Sequence, residues 1–236
     1  MGAIDGMQVI RKNPASARGN ILGRLSQETM RELLSLAHVH MHEPNQVLFS
    51  EADTSDHVYL VLEGTVKLSV NSTGGRRLIL GLATNGEFVG LASLLCGRPQ
   101  ETTAETVYTS KLASVARNDF LNFLLRHPDA YQVVCEELSR ELNKACEQLR
   151  TVVLSSSAPK KLARLLLDWS KSGQTTEMGA RFRFCMTHEE LGECIGASRE
   201  TVTRVMTTFR SKKLVMLNGS TLTIPNPSAL EHFACA

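Results

Sequence analysis

The stretch Met186 to Leu214, MTHEELGECIGASRETVTRVMTTFRSKKL, constrains the fold more than any other part of the chain. It reads as two short helices joined by a tight turn. Thr187 is a good N-cap. Glu190, three residues on, completes a capping box, in which hydroxyl and carboxylate each accept a backbone N–H that the helix leaves over. Leu191 and Ile195 give this first helix its apolar positions. Gly196 breaks it, and Ser198 caps the next. Val202, Val205, Met206 and Phe209 fall at i, i+3, i+4 and i+7, one apolar stripe along the second helix. Its opposite face carries Arg199, Glu200, Thr203 and Arg204.

A face of that composition suits a helix lying in the DNA major groove. Arginine can grip O6 and N7 of guanine together, and glutamate can accept from N4 of cytosine. Ser198 and Thr201 are placed to hold phosphates from the first turn, where the N–H groups point outward. Thr187, at the start of the first helix, completes the candidate DNA-binding set. Any helical hairpin packed on a small core would show the same spacing, so the downstream residues matter. Lys212 to Leu217 run into Asn218-Gly219, followed by Ser220 to Ile224. Asn-Gly between two short β-rich runs is a strong hairpin signal. A helix-turn-helix followed by a hairpin is a winged helix.

Here a resemblance becomes specific. The THEEL opening, the G-ASRETVTR block and the KKLV entry to the wing are similar to the DNA-binding domain of the catabolite activator/fumarate-nitrate regulator (CRP/FNR) family. In that family the S-R-E-T-V-x-R string is the reading helix, and Ser198, Arg199, Glu200, Thr201, Val202 and Arg204 match it position by position. The resemblance implies a dimer that reads a two-fold symmetric site with TGTGA-like half-sites. It also implies RNA polymerase as a further partner.

Composition sets bounds around this reading. The chain has 236 residues, of which 42% are hydrophobic, enough for two soluble domains. No apolar run approaches the roughly 20 residues of a membrane helix, and the start lacks the apolar core of a signal peptide. The six cysteines (96, 135, 146, 185, 194, 235) are scattered without a CxxC pair, which points to a reducing cytoplasm rather than a disulfide framework. From Ser157 onward there are 11 Lys/Arg against 7 Asp/Glu, a net +4; the remainder has 15 against 17, a net −2. The C-terminal part is thus the basic one, as a DNA-binding domain should be. There is no P-loop, GxSxG, HExxH or Rossmann fingerprint, so an enzyme is not expected. Cys96 near Arg98 invites comparison with a reactive thiol; a small packed residue is the simpler reading.

Residues 1–20 are polar, with Gly, Pro and Ser, and are expected to form a flexible arm. Ile21 to Ala37 predicts a short helix with Leu25, Met30, Leu33, Leu34 and Ala37 as its apolar positions. From Val39 to Val115 short β-rich runs (Val47 to Phe49, Val58 to Leu62, Val66 to Val70, Leu78 to Leu82) are separated by turn signals at Glu63-Gly64, Thr73-Gly74-Gly75 and Asn85-Gly86. This spacing implies an antiparallel sandwich or barrel. VYLVLEGTVKLSV, followed by GEFVG, is similar to the β-roll of cyclic-nucleotide-binding domains. The resemblance therefore implies an effector domain over 21–127.

Gly86 to Thr106 sits where that family keeps its phosphate-binding cassette. Members that bind cyclic AMP hold the ribose with a Gly-Glu pair and the phosphate with an Arg-Ser pair. Here Gly90-Leu91 replaces the first, and Gln100-Glu101, with Thr102 and Thr103 beyond, lies near the second. Leucine offers a ribose hydroxyl no partner, and Glu101 would repel a phosphate. Arg98 is the only nearby cation in the sequence. The helix hydroxyls that meet adenine in those relatives fall on Ala145 and Cys146. The effector is therefore expected to be a small molecule other than cyclic AMP. The family's oxygen sensors hold an iron–sulfur cluster through N-terminal cysteines; none precedes Cys96, so no such cluster is expected. His38, His40 and His42 alternate as metal ligands on one strand face would. A solvated strand edge explains them as well, and no metal is expected because no fourth ligand is visible.

Asp119 to Ser156 is the long helical region. Phe120, Phe123 and Leu124 make a short first piece that ends at His127-Pro128. Tyr131, Cys135, Leu138, Leu142, Ala145, Leu149 and Val152 then recur at alternating steps of four and three, a heptad seam flanked by charges. Such a seam pairs with a second helix or packs on the β-roll, and the family dimerises through this helix. Ser155 to Pro159 reads as the hinge, and Leu162, Leu165, Leu166 and Trp169 as the buried stripe of the helix after it. Gly173 to Gly179 reads as a loop, and Arg181 to Met186 as a short strand. The fold class is thus α+β: an antiparallel effector roll over 21–127, a dimerisation helix over 128–156 and a winged helix-turn-helix over 157–236. The expected protein is a cytoplasmic, homodimeric regulator that binds double-stranded DNA. The alternative is a cyclic-nucleotide-binding regulatory subunit that acts on a protein partner.

Overall fold

The computed structural model describes residues 24–54, 56–150, 152, 157–171 and 173–235. The expected arm over 1–20, and Ser155 and Ser156 of the expected hinge, lie outside the described residues. The chain divides into two compact units, Met1–Ser72 with Leu80–Ala145, and Thr73–Ile79 with Cys146–Ala236.

The first unit begins with helix α1, Gln27–Ser35. Ser26 caps it, its Oγ accepting from the Thr29 amide at 3.0 Å, so Leu25 and Ala37 of the expected helix lie beyond its ends, while residues 21–23 of that reading lie outside the described residues. Eight strands follow: β1 (His38–His42), β2 (Val47–Phe49), β3 (His57–Glu63), β4 (Thr65–Asn71), β5 (Arg77–Thr84), β6 (Phe88–Val89), β7 (Thr103–Thr106) and β8 (Ser110–Ala116). A short helix, α2 (Leu91–Cys96), lies between β6 and β7. The strands pair as two four-stranded sheets, in orders β1-β8-β3-β6 and β2-β7-β4-β5. All the recorded pairings among them are antiparallel. Alternation of buried and exposed positions is only partial: Leu60, Val61 and Leu62 of β3 are all buried, as are Val66 and Lys67 of β4. Phe49, Val61, Val66, Val89, Ala104 and Leu112 form one buried cluster.

Helix α3 (Arg117–Arg126) and helix α4 (Pro128–Leu149) are separated at His127, where proline forbids the preceding residue from continuing the helix. Phe120 and Phe123 of α3 are fully buried, and the Phe120 ring meets Phe88 edge-on at 5.5 Å. The buried face of α4 is Ala130, Val133, Val134 and Glu137. It is not the heptad seam. Tyr131, Leu142 and Leu149 stay 49%, 66% and 61% exposed, Cys135 is exposed, and Leu138 packs partly on the core. Ala145 and Val152 are half-buried.

The second unit contains α5 (Ala158–Ser170), β9 (Gln174–Thr176), β10 (Gly179–Arg183), α6 (His188–Ile195), α7 (Arg199–Ser211), β11 (Met216–Asn218), β12 (Thr221–Ile224) and α8 (Pro227–Cys235). Proline in the first turn of α5 costs no hydrogen bond, since that N–H has no helical partner. Leu162, Ala163 and Leu166 are fully buried beneath it. The strands form one sheet in the order β11-β12-β10-β9. The second unit differs from the sequence reading in several places: β10 spans Gly179–Arg183 rather than Arg181 to Met186, and α8 was not expected. Gln174–Thr176 is a strand paired with β10 rather than loop, held by backbone bonds although its side chains are all exposed. The hairpin turn is Gly219-Ser220, because Asn218 pairs directly with Thr221. With φ +55° at Gly219 alone, the turn needs glycine at its first central position.

Candidate nucleic-acid interface and effector region

The reading motif is built from its caps outward. Thr187 Oγ1 accepts from the Glu190 amide at 3.1 Å, and Glu190 Oε2 accepts from the Thr187 amide at 2.9 Å. This is the capping box of α6. Gly196 ends the helix in the left-handed region at φ +65°, ψ +41°. The turn then closes on Gly192, whose carbonyl accepts from the Ala197 amide at 2.9 Å. A Cβ on Gly192 would stand 2.5 Å from the Ala197 carbonyl oxygen, so the turn leaves no room for any other residue. Ser198 caps α7, accepting from the Thr201 amide at 3.3 Å.

Helix α7 is anchored by the predicted stripe: Val202, Val205, Met206 and Phe209 are all buried. Their burial forces the other side outward, where Arg199, Glu200, Thr203 and Arg204 are exposed together with Ser198, while Thr201 is half-buried. The structure thus brings the predicted reading residues onto one solvent-facing surface. Glu200 is held below the ordinary carboxylate range by its own backbone amide in the first helical turn, then by Ser198 and Arg199. One contact was not foreseen. His188 Nδ1 lies 2.8 Å from Thr203 Oγ1, joining the first turn of α6 to the exposed face of α7. A histidine one residue past an N-cap was the only signal for it.

In the first unit the candidate effector residues separate. Gly90 adopts φ +80° before α2, and a Cβ there would lie 3.2 Å from both Gln100 Nε2 and the Phe49 ring. Gln100 is buried, and its Nε2 has no hydrogen-bond partner among the described residues. Leu91 is 1% exposed and belongs to the core. Arg98 and Glu101 are exposed, and Thr102 and Thr103 half-buried. Thr103 Oγ1 accepts from the Glu51 amide at 3.1 Å. Ala145 is half-buried and Cys146 exposed on the last turns of α4. The cation that reaches the end of α2 is Arg117, whose Nε donates to the Leu94 carbonyl at 2.8 Å. Sequence reasoning missed it because Arg117 lies beyond the loop in sequence. An open depression of about 440 Å³ is lined by Leu48, Phe49, Asp53, Thr54, Asp56 and His57, none of them a predicted effector contact.

Two charge groups with buried carboxylates or ammonium also escaped the sequence reading. Lys67 Nζ lies 3.0 Å from Glu105 Oε1, with side chains 3% and 14% exposed, directly across the β4–β7 ladder. Lys144 pairs with Glu87, and Arg140 with the buried Glu137. Glu141 beside them is pushed up to about 7, by burial first and by Glu137 next. On β1, His38 and His40 are exposed, while burial lowers His42. Among the described residues no group of three or more His, Cys, Asp or Glu side chains is arranged to hold a metal. No described helix is long and apolar enough to cross a membrane.

A β-roll of two antiparallel sheets, a helix with an exposed apolar seam and a winged helix with a polar outer face define a class: DNA-binding regulators with an N-terminal β-roll domain. The comparisons agree. Residues 39–127 match the cyclic nucleotide-binding domain and residues 160–233 the Crp-like helix-turn-helix domain. The transcriptional activatory protein AadR of Rhodopseudomonas palustris is 26% identical over 92% of this chain and 89% of its own length. The CRP-like cAMP-activated global transcriptional regulator of Mycobacterium tuberculosis is 25% identical over 79% of this chain and 84% of its own. The structure of FixK2 from Bradyrhizobium japonicum superposes with a TM-score of 0.76 at 19% identity, covering 85% of this chain and 98% of that one. This chain belongs to the CRP/FNR family of transcription regulators, which are not enzymes.

Proposed function

We propose that the protein acts in the cytoplasm as a homodimer that reads a two-fold symmetric, TGTGA-like DNA site and engages RNA polymerase there. A small-molecule effector other than cyclic AMP controls it. The observation that carries the DNA reading is the solvent-facing set Arg199, Glu200, Thr203 and Arg204 on a helix whose other side is anchored in the core. The dimer is supported by the heptad seam, which α4 leaves exposed while it buries a different face. An apolar seam of that length needs a partner helix.

The effector reading rests on the fit of the pocket residues. Leu91 is buried in the core and offers no acceptor to a ribose. Glu101 is exposed and carries the wrong charge for a phosphate. No iron–sulfur ligand set precedes Cys96. Effectors differ among the relatives: the Mycobacterium protein is named for cAMP activation, and a structure from Xanthomonas campestris, at 24% identity and a TM-score of 0.70, is titled a c-di-GMP responsive regulator. Calorimetry with cyclic AMP, run beside fluorescence anisotropy on a symmetric TGTGA-containing duplex, tests both halves. DNA binding with no heat from cyclic AMP is expected. Micromolar cyclic AMP binding, abolished by changes between Gly90 and Thr103, would overturn the effector reading. Equal affinity for symmetric and scrambled duplexes would overturn the DNA reading.

A further inference from the structure

The contact between His188 and Thr203 fixes what Thr203 can offer a groove. A threonine hydroxyl has one hydrogen and two lone pairs. The Thr203 hydroxyl donates its hydrogen to the Arg199 carbonyl at 2.9 Å. It therefore has none left for His188, whose Nδ1 lies 2.8 Å from the same oxygen. Nδ1 must carry the proton and donate, so the bond selects that form of the ring. With its hydrogen given to the helix backbone and one lone pair taken by His188, the hydroxyl is held against the protein. Thr203 is exposed, and with its oxygen so engaged the methyl is the group it has left to offer a base.

We infer that Thr203 reads thymine through methyl–methyl contact, and that His188 is the positioning residue that holds it in the reading rotamer. The inference rests on α7 being the reading helix and adds a base class and a second helix to that reading. Apolar contact with the C5-methyl separates thymine from cytosine in the major groove, where an unfixed hydroxyl would accept either base. Without His188 the threonine is free to turn its hydroxyl outward and loses that preference. The gain is that of burying one methyl-sized group, about fourfold in affinity per half-site.

The test uses a duplex that the full-length protein itself selects from a random pool. Each thymine is replaced in turn by deoxyuridine, which lacks only the methyl. For the natural protein one thymine per half-site should cost about fourfold on replacement. Thr203→Ser, which lacks the methyl, should bind the two duplexes equally. His188→Ala should erase most of the difference, and His188→Asn, which supplies a donor near the place of Nδ1, should restore it. Melting curves on each variant separate misfolding from lost preference, and Thr203→Ser provides an arm independent of His188. Equal binding of thymine and deoxyuridine duplexes at every position, with preference still sensitive to Arg204→Ala, would overturn the inference and leave the reading helix standing. A penalty that persists in His188→Ala would remove His188 from the positioning role. Failure to select any sequence from the pool would instead count against the DNA reading itself.

Discussion

The Lys144 ammonium stands 2.5 Å from Oε1 of Glu87 and joins the C-terminal part of α4 to the residue just before β6. The other oxygen of Glu87 accepts from the Thr84 amide at 2.7 Å and from the Thr84 hydroxyl at 3.1 Å. Glu87 is therefore fully engaged, and it shares its surroundings with Glu137, Glu141 and Arg140. Three carboxylates face two cations in this group, so one negative charge is in excess.

That excess makes stability depend on pH. Glu141 is raised to about 7, by burial and then by the negative charges of Glu137 and Glu87, against the pull of Lys144 and Arg140. The folded chain holds this proton more tightly than the unfolded one. Between the ordinary carboxylate range and about pH 7 stability should fall as pH rises, then level off once Glu141 is ionised in both states. Glu141→Gln should stabilise the protein by roughly 1–3 kcal/mol at pH 8 and by little at pH 4. Urea titrations of both proteins across this range measure the difference; equal gains at the two pH values would contradict the assignment.

Dimerisation should depend on the exposed side of α4. Leu142 and Leu149 are 66% and 61% exposed in the single chain, whereas Leu138 also packs on its own core. Leu142→Asp with Leu149→Asp should yield monomers of nearly unchanged melting temperature, because the charges enter solvent rather than the core. Leu138→Asp with Leu142→Asp should also yield monomers, but with a destabilised first unit. Light scattering gives the mass. A dimer that survives both pairs would remove this helix from the interface.

The turn of the reading motif tolerates no side chain at Gly192. Gly192→Ala sets a methyl 2.5 Å from the Ala197 carbonyl oxygen, and only backbone movement relieves it. A loss of about 1–3 kcal/mol is expected, with DNA affinity falling because Ser198 moves with the turn. Ala at exposed Gly75, where a Cβ meets nothing within 4 Å but φ is +76°, provides a strain-only control. Unchanged stability in Gly192→Ala would show that the turn is looser than this geometry.

The reading motif was legible because its physics is local. The caps at Thr187 and Ser198 and the Val202–Phe209 stripe depend on residues three and four apart, which the sequence displays directly. Most strands of the roll were legible from alternation and turn residues. Gln174–Thr176 was not, since a strand held only by backbone bonds has no side-chain signature. Helix α8 was not read at all: it follows Pro225, opens on Pro227 and is too short to display a period. The burial of Lys67 depends on Glu105 lying opposite in another strand, a relation that no local pattern encodes. The same holds for Gln100 beneath Gly90, and for His188 against Thr203.

The most direct test of the account is a competition series over single-base variants of the selected duplex at fixed salt, for the natural protein, Arg204→Ala and Thr201→Ala. Arg204 is exposed on the reading face, and one bidentate arginine contact is worth about 1–3 kcal/mol at a single base pair. Arg204→Ala should therefore lose that much and relax preference at one base pair per half-site, with the two half-sites about 34 Å apart. Thr201→Ala, which removes the proposed phosphate contact, should weaken every sequence alike. If Arg204→Ala weakened all variants equally, α7 would not be reading bases and the central claim would fail.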